Sequence, residues 1–187
     1  MTFQVADGNF EQRIRTSFAR QGLNGTIGAR LGHVSAGHVE IEVPFSAAVT
    51  QQHGFFHGSV IGAIGDSACG YAAMTLTPSN AEVLTVEYKV NFVSPAQGDR
   101  LLARGRVTKA GRTITVCTAD IVAVTSEKET LVATMLGTIM TIDVRRDVSS
   151  GAPQGRLIDA DQAVARLWCP CSRLRKVKHR IRNVVPR

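Results

Sequence analysis

The chain has no basic residue between Arg30 and Lys89, and nowhere an unbroken apolar span of about 20 residues. The longest apolar stretch, Val60 to Leu76, carries Asp66 and three glycines, so it reads as a buried helix and not as a membrane span. The opening, "MTFQVADGNFEQRIRTSF", is polar and mixed in charge and lacks the basic-then-apolar pattern of a secretory signal. Four cysteines are too few and too scattered for a disulfide framework. Cys69 and Cys117 lie among apolar neighbours as small hydrophobes, and Cys169 and Cys171 form a C-x-C pair with no second pair or histidine cluster spaced for zinc. No metal site is expected. A phosphate-cradling loop is missing as well, since "GNFEQR" and "GSVIGAIG" fit neither P-loop nor dinucleotide spacing. The cysteine usage fits a reduced, cytoplasmic setting best.

What is present divides unevenly. Of the 187 residues, 44% are hydrophobic, enough for one packed domain. Residues 145–187 hold eleven Lys/Arg and three acids, a net charge of +8, which leaves residues 1–144 at −1. The stretch "RRDVSSGAPQG" has a linker's composition. The expectation is a folded domain over 1–144 and a basic tail over 145–187 that is flexible or outside the core. A polyanion contact through "RLRKVKHRIRNVVPR" is a lesser reading, and no specific nucleic-acid or membrane partner is expected.

Within the body, Phe10, Ile14 and Phe18 form an i, i+4, i+8 stripe, which predicts an amphipathic helix over 8–21 closed by Gly22. Residues 26–34 and 38–44 read as a hairpin around "SAG", followed by a loop and a helix over 57–76. Four further strands are expected at 82–94, 100–109, 112–124 and 131–142. This order suggests an α+β fold with one antiparallel sheet wrapped round the long helix. Such a helix would be hydrophobic on every side, and its small residues (Gly58, Gly62, Ala63, Gly65, Ala68, Gly70) would let strands pass close to its axis.

Asp66 stands alone in that helix with no basic partner nearby in sequence. A carboxylate removed from water costs several kcal/mol unless it is compensated, so it has either a distant partner or a chemical task. Two turns earlier, "HG" opens the helix, where the Gly58 amide would be an unsatisfied donor at the positive end of the dipole. Such an amide can hold a carbonyl oxygen that is gaining charge, and a carboxylate can act as base or nucleophile. Eight residues of helix, however, span about 12 Å. Gly58 and Asp66 of one chain cannot both touch one carbonyl, and the spacing predicts a dimer whose antiparallel long helices pair them across two sites.

"HGSVIGAIGDSACGYAA", "TVEYKVNFVSPAQGD" and "VTKAGRTITV" together resemble the hotdog-fold acyl-CoA thioesterases, particularly the phenylacetate-pathway type, over roughly residues 23–143. The resemblance implies hydrolysis of an aryl- or medium-chain acyl-CoA to free acid and CoA, in sites shared across a homodimer that is often paired into tetramers. It implies no cofactor, since CoA is part of the substrate. Carried over by position, Asp66 is the catalytic acid and His57-Gly58 is the pair whose Gly amide polarises the thioester. Gln51 and Thr85 would help place water or the thioester, and Lys109 and Arg112 would sit near the CoA phosphates. Ser59 departs from the family's His-Gly-Gly and is expected to narrow the acyl entrance. The alternative is a non-catalytic acyl-CoA-binding protein of the same fold.

Overall fold

Strands such as 38–44 and 100–107 alternate apolar and polar residues and bury one face, and the computed structural model, which describes residues 3–143, shows six strands in a single sheet. The strands are β1 (Arg30–Ser35), β2 (His38–Pro44), β3 (Ala81–Phe92), β4 (Arg100–Lys109), β5 (Ile114–Thr125) and β6 (Lys128–Asp143). Their spatial order is β1-β2-β4-β5-β6-β3, and the pairings from β1 through β6 are antiparallel. Val39, Ile41, Leu101, Ala103, Ala119, Ile121, Ala133 and Met135 alternate inward along these strands and are buried. The helix α3 (Gly58–Met74) lies in this concave face and packs on β2, β3, β4 and β5. This is the sheet-wrapped helix that the family resemblance implies.

Two expectations need correction. Residues 22–26 do not lead into a strand: Gly22–Thr26 forms a short second helix, α2, after α1 (Phe10–Arg20), and β1 begins only at Arg30. Local bonds outweigh the weak strand signal here. Asn24 donates to the Phe18 carbonyl and to Gln21 Oε1, the Thr26 hydroxyl donates to the Gly22 carbonyl, and Gly28 turns the chain out at a φ of 68°. Nor is α3 enclosed on every side. Ser59, Ala63, Asp66, Ser67 and Gly70 form a stripe along it that is not buried, while the rest of its surface from Val60 to Met74 is.

The expected close approach between sheet and helix is found at Gly65 and Ala68 and not at Gly62 or Gly70. A Cβ on Gly70 would meet nothing, and one on Gly62 would meet only the Tyr88 hydroxyl at 3.5 Å. Gly65 is tight, with Met135 Cε 2.8 Å from such a Cβ. The closest contact comes from the sheet: a Cβ on Gly105 of β4 would lie 2.3 Å from the Ala68 carbonyl carbon and oxygen. A strand glycine therefore brings the helix backbone against the sheet.

Arg13 fixes the other side of the helix. Its guanidinium donates to the carbonyls of Met74, Thr77, Pro78 and Ala81 at 2.9–3.0 Å and pairs with Asp7 at 3.2 Å. These carbonyls end α3 and lead into β3, so one side chain satisfies acceptors that the helix leaves open and fastens α1 to them. Ile14 and Phe18 complete the contact from the buried stripe of α1. No helix among the described residues is long and apolar enough to cross a membrane. Residues 145–187, where the tail is expected, lie outside the described residues, as do Cys169 and Cys171; Cys69 and Cys117 are buried free thiols.

Candidate active site

Asp66 lies on the open stripe of α3, and Thr85 projects from β3 to meet it: the Thr85 hydroxyl donates to Asp66 Oδ1 at 2.7 Å. The partner that the local sequence lacks is thus a neutral hydroxyl 19 residues away, not a cation. Burial raises the Asp66 carboxyl above the ordinary carboxylate range, and the Thr85 bond offsets part of this by favouring the ionised form. The pair opens on a cleft of about 250 Å³. It is lined by Ser17 of α1, Gln21 between the two helices and Leu23 of α2, together with Tyr71 and Met74 of α3. Ser17 Oγ and Tyr71 Oη are 3.4 Å apart. Sequence reasoning missed these cleft residues. Ser17 and Gln21 flank the apolar stripe of α1, but only the docking of α1 on α3 shows that they face Asp66.

The first turn of α3 is a separate locus. His57 is the N-cap, with an extended backbone at ψ 137°, and its Nδ1 accepts from the Ser59 amide at 3.0 Å. Ser59 Oγ lies 2.7 Å from the same nitrogen. The His57 amide itself bonds the Val49 carbonyl and that of Phe56 bonds Ala96, so the entry to the helix is fastened from both sides. Among the described residues the Gly58 amide has no acceptor, as expected of the first turn. The Phe92 ring lies over Gly58, 3.2 Å from where a Cβ would stand. The expectation that Ser59 narrows an acyl entrance finds a different geometry, because its side chain turns back onto His57.

The remaining sequence candidates lie apart. Gln51 sits in the loop before α3, where its Oε1 accepts from the His53 amide and its backbone bonds Phe55 and Gly54. Lys109 and Arg112 are exposed at the β4–β5 hairpin, and Arg112 lines a second cleft at the C-terminal end of α3 with Ala73 and Leu76. Within one chain the fold therefore joins Asp66 with Thr85, keeps His57 and Gly58 about two helical turns away at the start of α3 with Gln51 in the loop before it, and leaves Lys109 and Arg112 at the hairpin near the other end of α3. Among the described residues no group of three or more His, Cys, Asp or Glu is placed to hold a metal ion.

Comparison with known proteins matches this body. Residues 53–130 fit the model of the thioesterase superfamily, a span that contains every candidate except Gln51. A solved thioesterase-family protein from Silicibacter pomeroyi is 47% identical, covers 72% of this chain and 98% of its own, and superposes with a TM-score of 0.70. The PaaI protein of the phenylacetic acid degradation operon of E. coli superposes at 0.64 over 73% of this chain and 96% of its own, and at 19% identity it shows the shared fold alone. A candidate esterase of Saccharolobus solfataricus is 30% identical over 84 residues, 45% of this chain and 59% of its own length. With a solved relative 47% identical along almost its whole length and a family match that runs through Gly58, Asp66 and Thr85, the chain belongs to the thioesterase superfamily and has its hotdog fold.

Proposed function

We propose that the protein hydrolyses aryl- or medium-chain acyl-CoA thioesters, with Asp66 as nucleophile or general base in sites shared between two chains. The observation that carries this reading is the Asp66–Thr85 pair at the mouth of a cleft. A carboxylate with little water around it and one hydroxyl to orient it is a stronger base and nucleophile than a solvated one. Asp66 either attacks the carbonyl carbon, expelling CoA thiolate and forming a mixed anhydride that water then cleaves to free acid and the regenerated carboxylate, or takes a proton from the water that attacks and expels the thiolate directly. In both routes the carbonyl oxygen gains charge and needs donors, which Gly58 supplies at the positive end of α3. The cleft volume of about 250 Å³ suits an aryl or medium-chain acyl group better than a long chain.

The shared site draws support from the edge of the sheet. Strand β3 is terminal in the strand order, and its Val86, Tyr88 and Phe92 are 56%, 46% and 56% exposed. An exposed apolar edge strand invites pairing with another strand, and a second copy of β3 across a two-fold axis would cover it. That pairing would bring the two copies of α3 alongside each other, Gly58 of one opposite Asp66 of the other. Lys109 and Arg112 are the cations proposed to meet the CoA phosphates.

Purified protein assayed with phenylacetyl-CoA and a series of acyl-CoAs tests the reading through release of free thiol. Turnover that falls off beyond medium chain length supports it. Tight binding of the same compounds without thiol release would instead make the protein an acyl-CoA carrier. Single turnover in ¹⁸O-water tests the first route: unlabelled acid in the first turnover, with the label recovered in Asp66, means attack by Asp66 and hydrolysis of the anhydride at the Asp66 carbon.

A further inference from the structure

Ser59 stands where the sequence resemblance leads one to expect glycine, and its geometry has a chemical consequence for His57. The Ser59 backbone N–H can only donate, and it points at His57 Nδ1 at 3.0 Å. Nδ1 is therefore the unprotonated nitrogen of the neutral ring. It follows that Ser59 Oγ, 2.7 Å from the same lone pair, also donates to it. With Nδ1 taken by two donors from one residue, the ring proton sits on Nε2. His57 is exposed, so this N–H is open to a ligand at the end of α3 where the Gly58 amide is also without an acceptor among the described residues.

We propose that Ser59 is a positioning residue that locks His57 as an Nε2–H donor toward the substrate, so that His57 serves the reaction as a hydrogen-bond donor and not as a base. The proposal rests on the reading of the Gly58 end as the place where the thioester carbonyl binds. A base at this position would need a free ring lone pair, and the Ser59 contacts leave none. The hydroxyl adds to the backbone N–H a second donor of the same sign, which resists rotation of the ring about χ2. A glycine at position 59 would supply only the first.

The test uses the whole chain labelled with ¹⁵N in its histidine rings. In the wild-type protein the neutral His57 ring should show a protonated Nε2 and a hydrogen-bonded, unprotonated Nδ1. Ser59→Ala should move the Nδ1 resonance toward that of a free ring lone pair and lower kcat roughly two- to tenfold with KM little changed, the effect of one neutral hydrogen bond. Ser59→Thr, which keeps the hydroxyl, should restore both. His57→Asn separates donor from cap: its Oδ1 can still accept from the Ser59 amide, but it has no group at the Nε2 position. His57→Asn should therefore fold with wild-type stability and lose at least about tenfold in kcat, while His57→Gln, whose amide N–H reaches where Nε2 stood, should lose less. A wild-type ring protonated on Nδ1, ring resonances unmoved by Ser59→Ala, or full activity in His57→Asn would each overturn the proposal. The ring resonances can be read whether or not the protein turns over acyl-CoA, so failure of this inference is distinguishable from failure of the proposed activity.

Discussion

The first turn of α3 and its middle are built for opposite electrical tasks. The first turn holds donors: the Gly58 amide is unpartnered among the described residues, and His57 is held as a cap by Ser59. The middle holds an acceptor, Asp66, half-withdrawn from water and restrained by one hydroxyl. One end can stabilise negative charge that appears on a substrate, and the other can deliver negative charge to it. Each is incomplete alone, and about 12 Å of helix keeps them from meeting within a chain. The distance between complementary halves is thus what argues for a second chain, more than the exposed edge of β3 does.

Removing the acceptor should have the largest effect. Asp66→Asn is expected to lower kcat by at least about 100-fold, as loss of a general base or nucleophile does, with the fold retained. Stability should move the other way. Because the folded carboxyl titrates above its ordinary 3.8, the protonated form favours folding, and that contribution is lost as pH rises through the raised value. Asn does not titrate, so the melting temperature of the variant should exceed that of the wild type most clearly at neutral pH and converge with it below pH ~4. A folded variant that keeps wild-type kcat would remove Asp66 from the mechanism.

Mixing the two halves tests whether they come from different chains. Gly58→Pro removes the donor at a position where proline is well tolerated, since the N–H makes no bond and His57 is already extended at ψ 137°. The Phe92 ring, 3.2 Å from the new Cβ, must yield slightly. Each of Gly58→Pro and Asp66→Ala should be inactive alone. After subunit exchange half the dimers are mixed, with one intact site of two, and activity should return to about a quarter of wild type. With exchange confirmed by mass, a mixture that stays inactive means that each chain carries its own whole site.

A smaller change should follow from the hydroxyl that restrains Asp66. Thr85→Val removes the bond that favours the carboxylate, so the acid limb of the kcat–pH profile should move to higher pH and kcat at pH 7 should fall roughly tenfold or less. Thr85→Ser should keep the limb in place. An unmoved limb in Thr85→Val would show that the bond is structural only. The smallest effect is expected from removing residues 149–187: activity on small acyl-CoAs should stay within about twofold, because every proposed site residue lies before them, while salt-sensitive binding to polyanions should weaken. A truncated protein that fails to fold or dimerise would place the tail in the core.

Period and composition alone set much of the architecture. The alternation of 38–44 and 100–109 matches β2 and β4 to the residue, and the apolar run with its "HG" start locates α3 to within two residues at its C-terminal end. The isolation of Asp66 and the donor at Gly58 are likewise local properties, legible because a charge in an apolar helix and an amide at a helix start are unusual wherever the helix goes. Tertiary structure alone decided the rest. That β3 and not β6 forms the sheet edge, that Thr85 meets Asp66, that Gly105 admits the α3 backbone and that α1–α2 walls the cleft are all relations between residues 19 to 54 or more positions apart or between whole strands. Sequence periodicity states which face a residue takes on its own element. It carries no information on which other element covers that face, because that is settled by the sum of many small packing energies across the whole core.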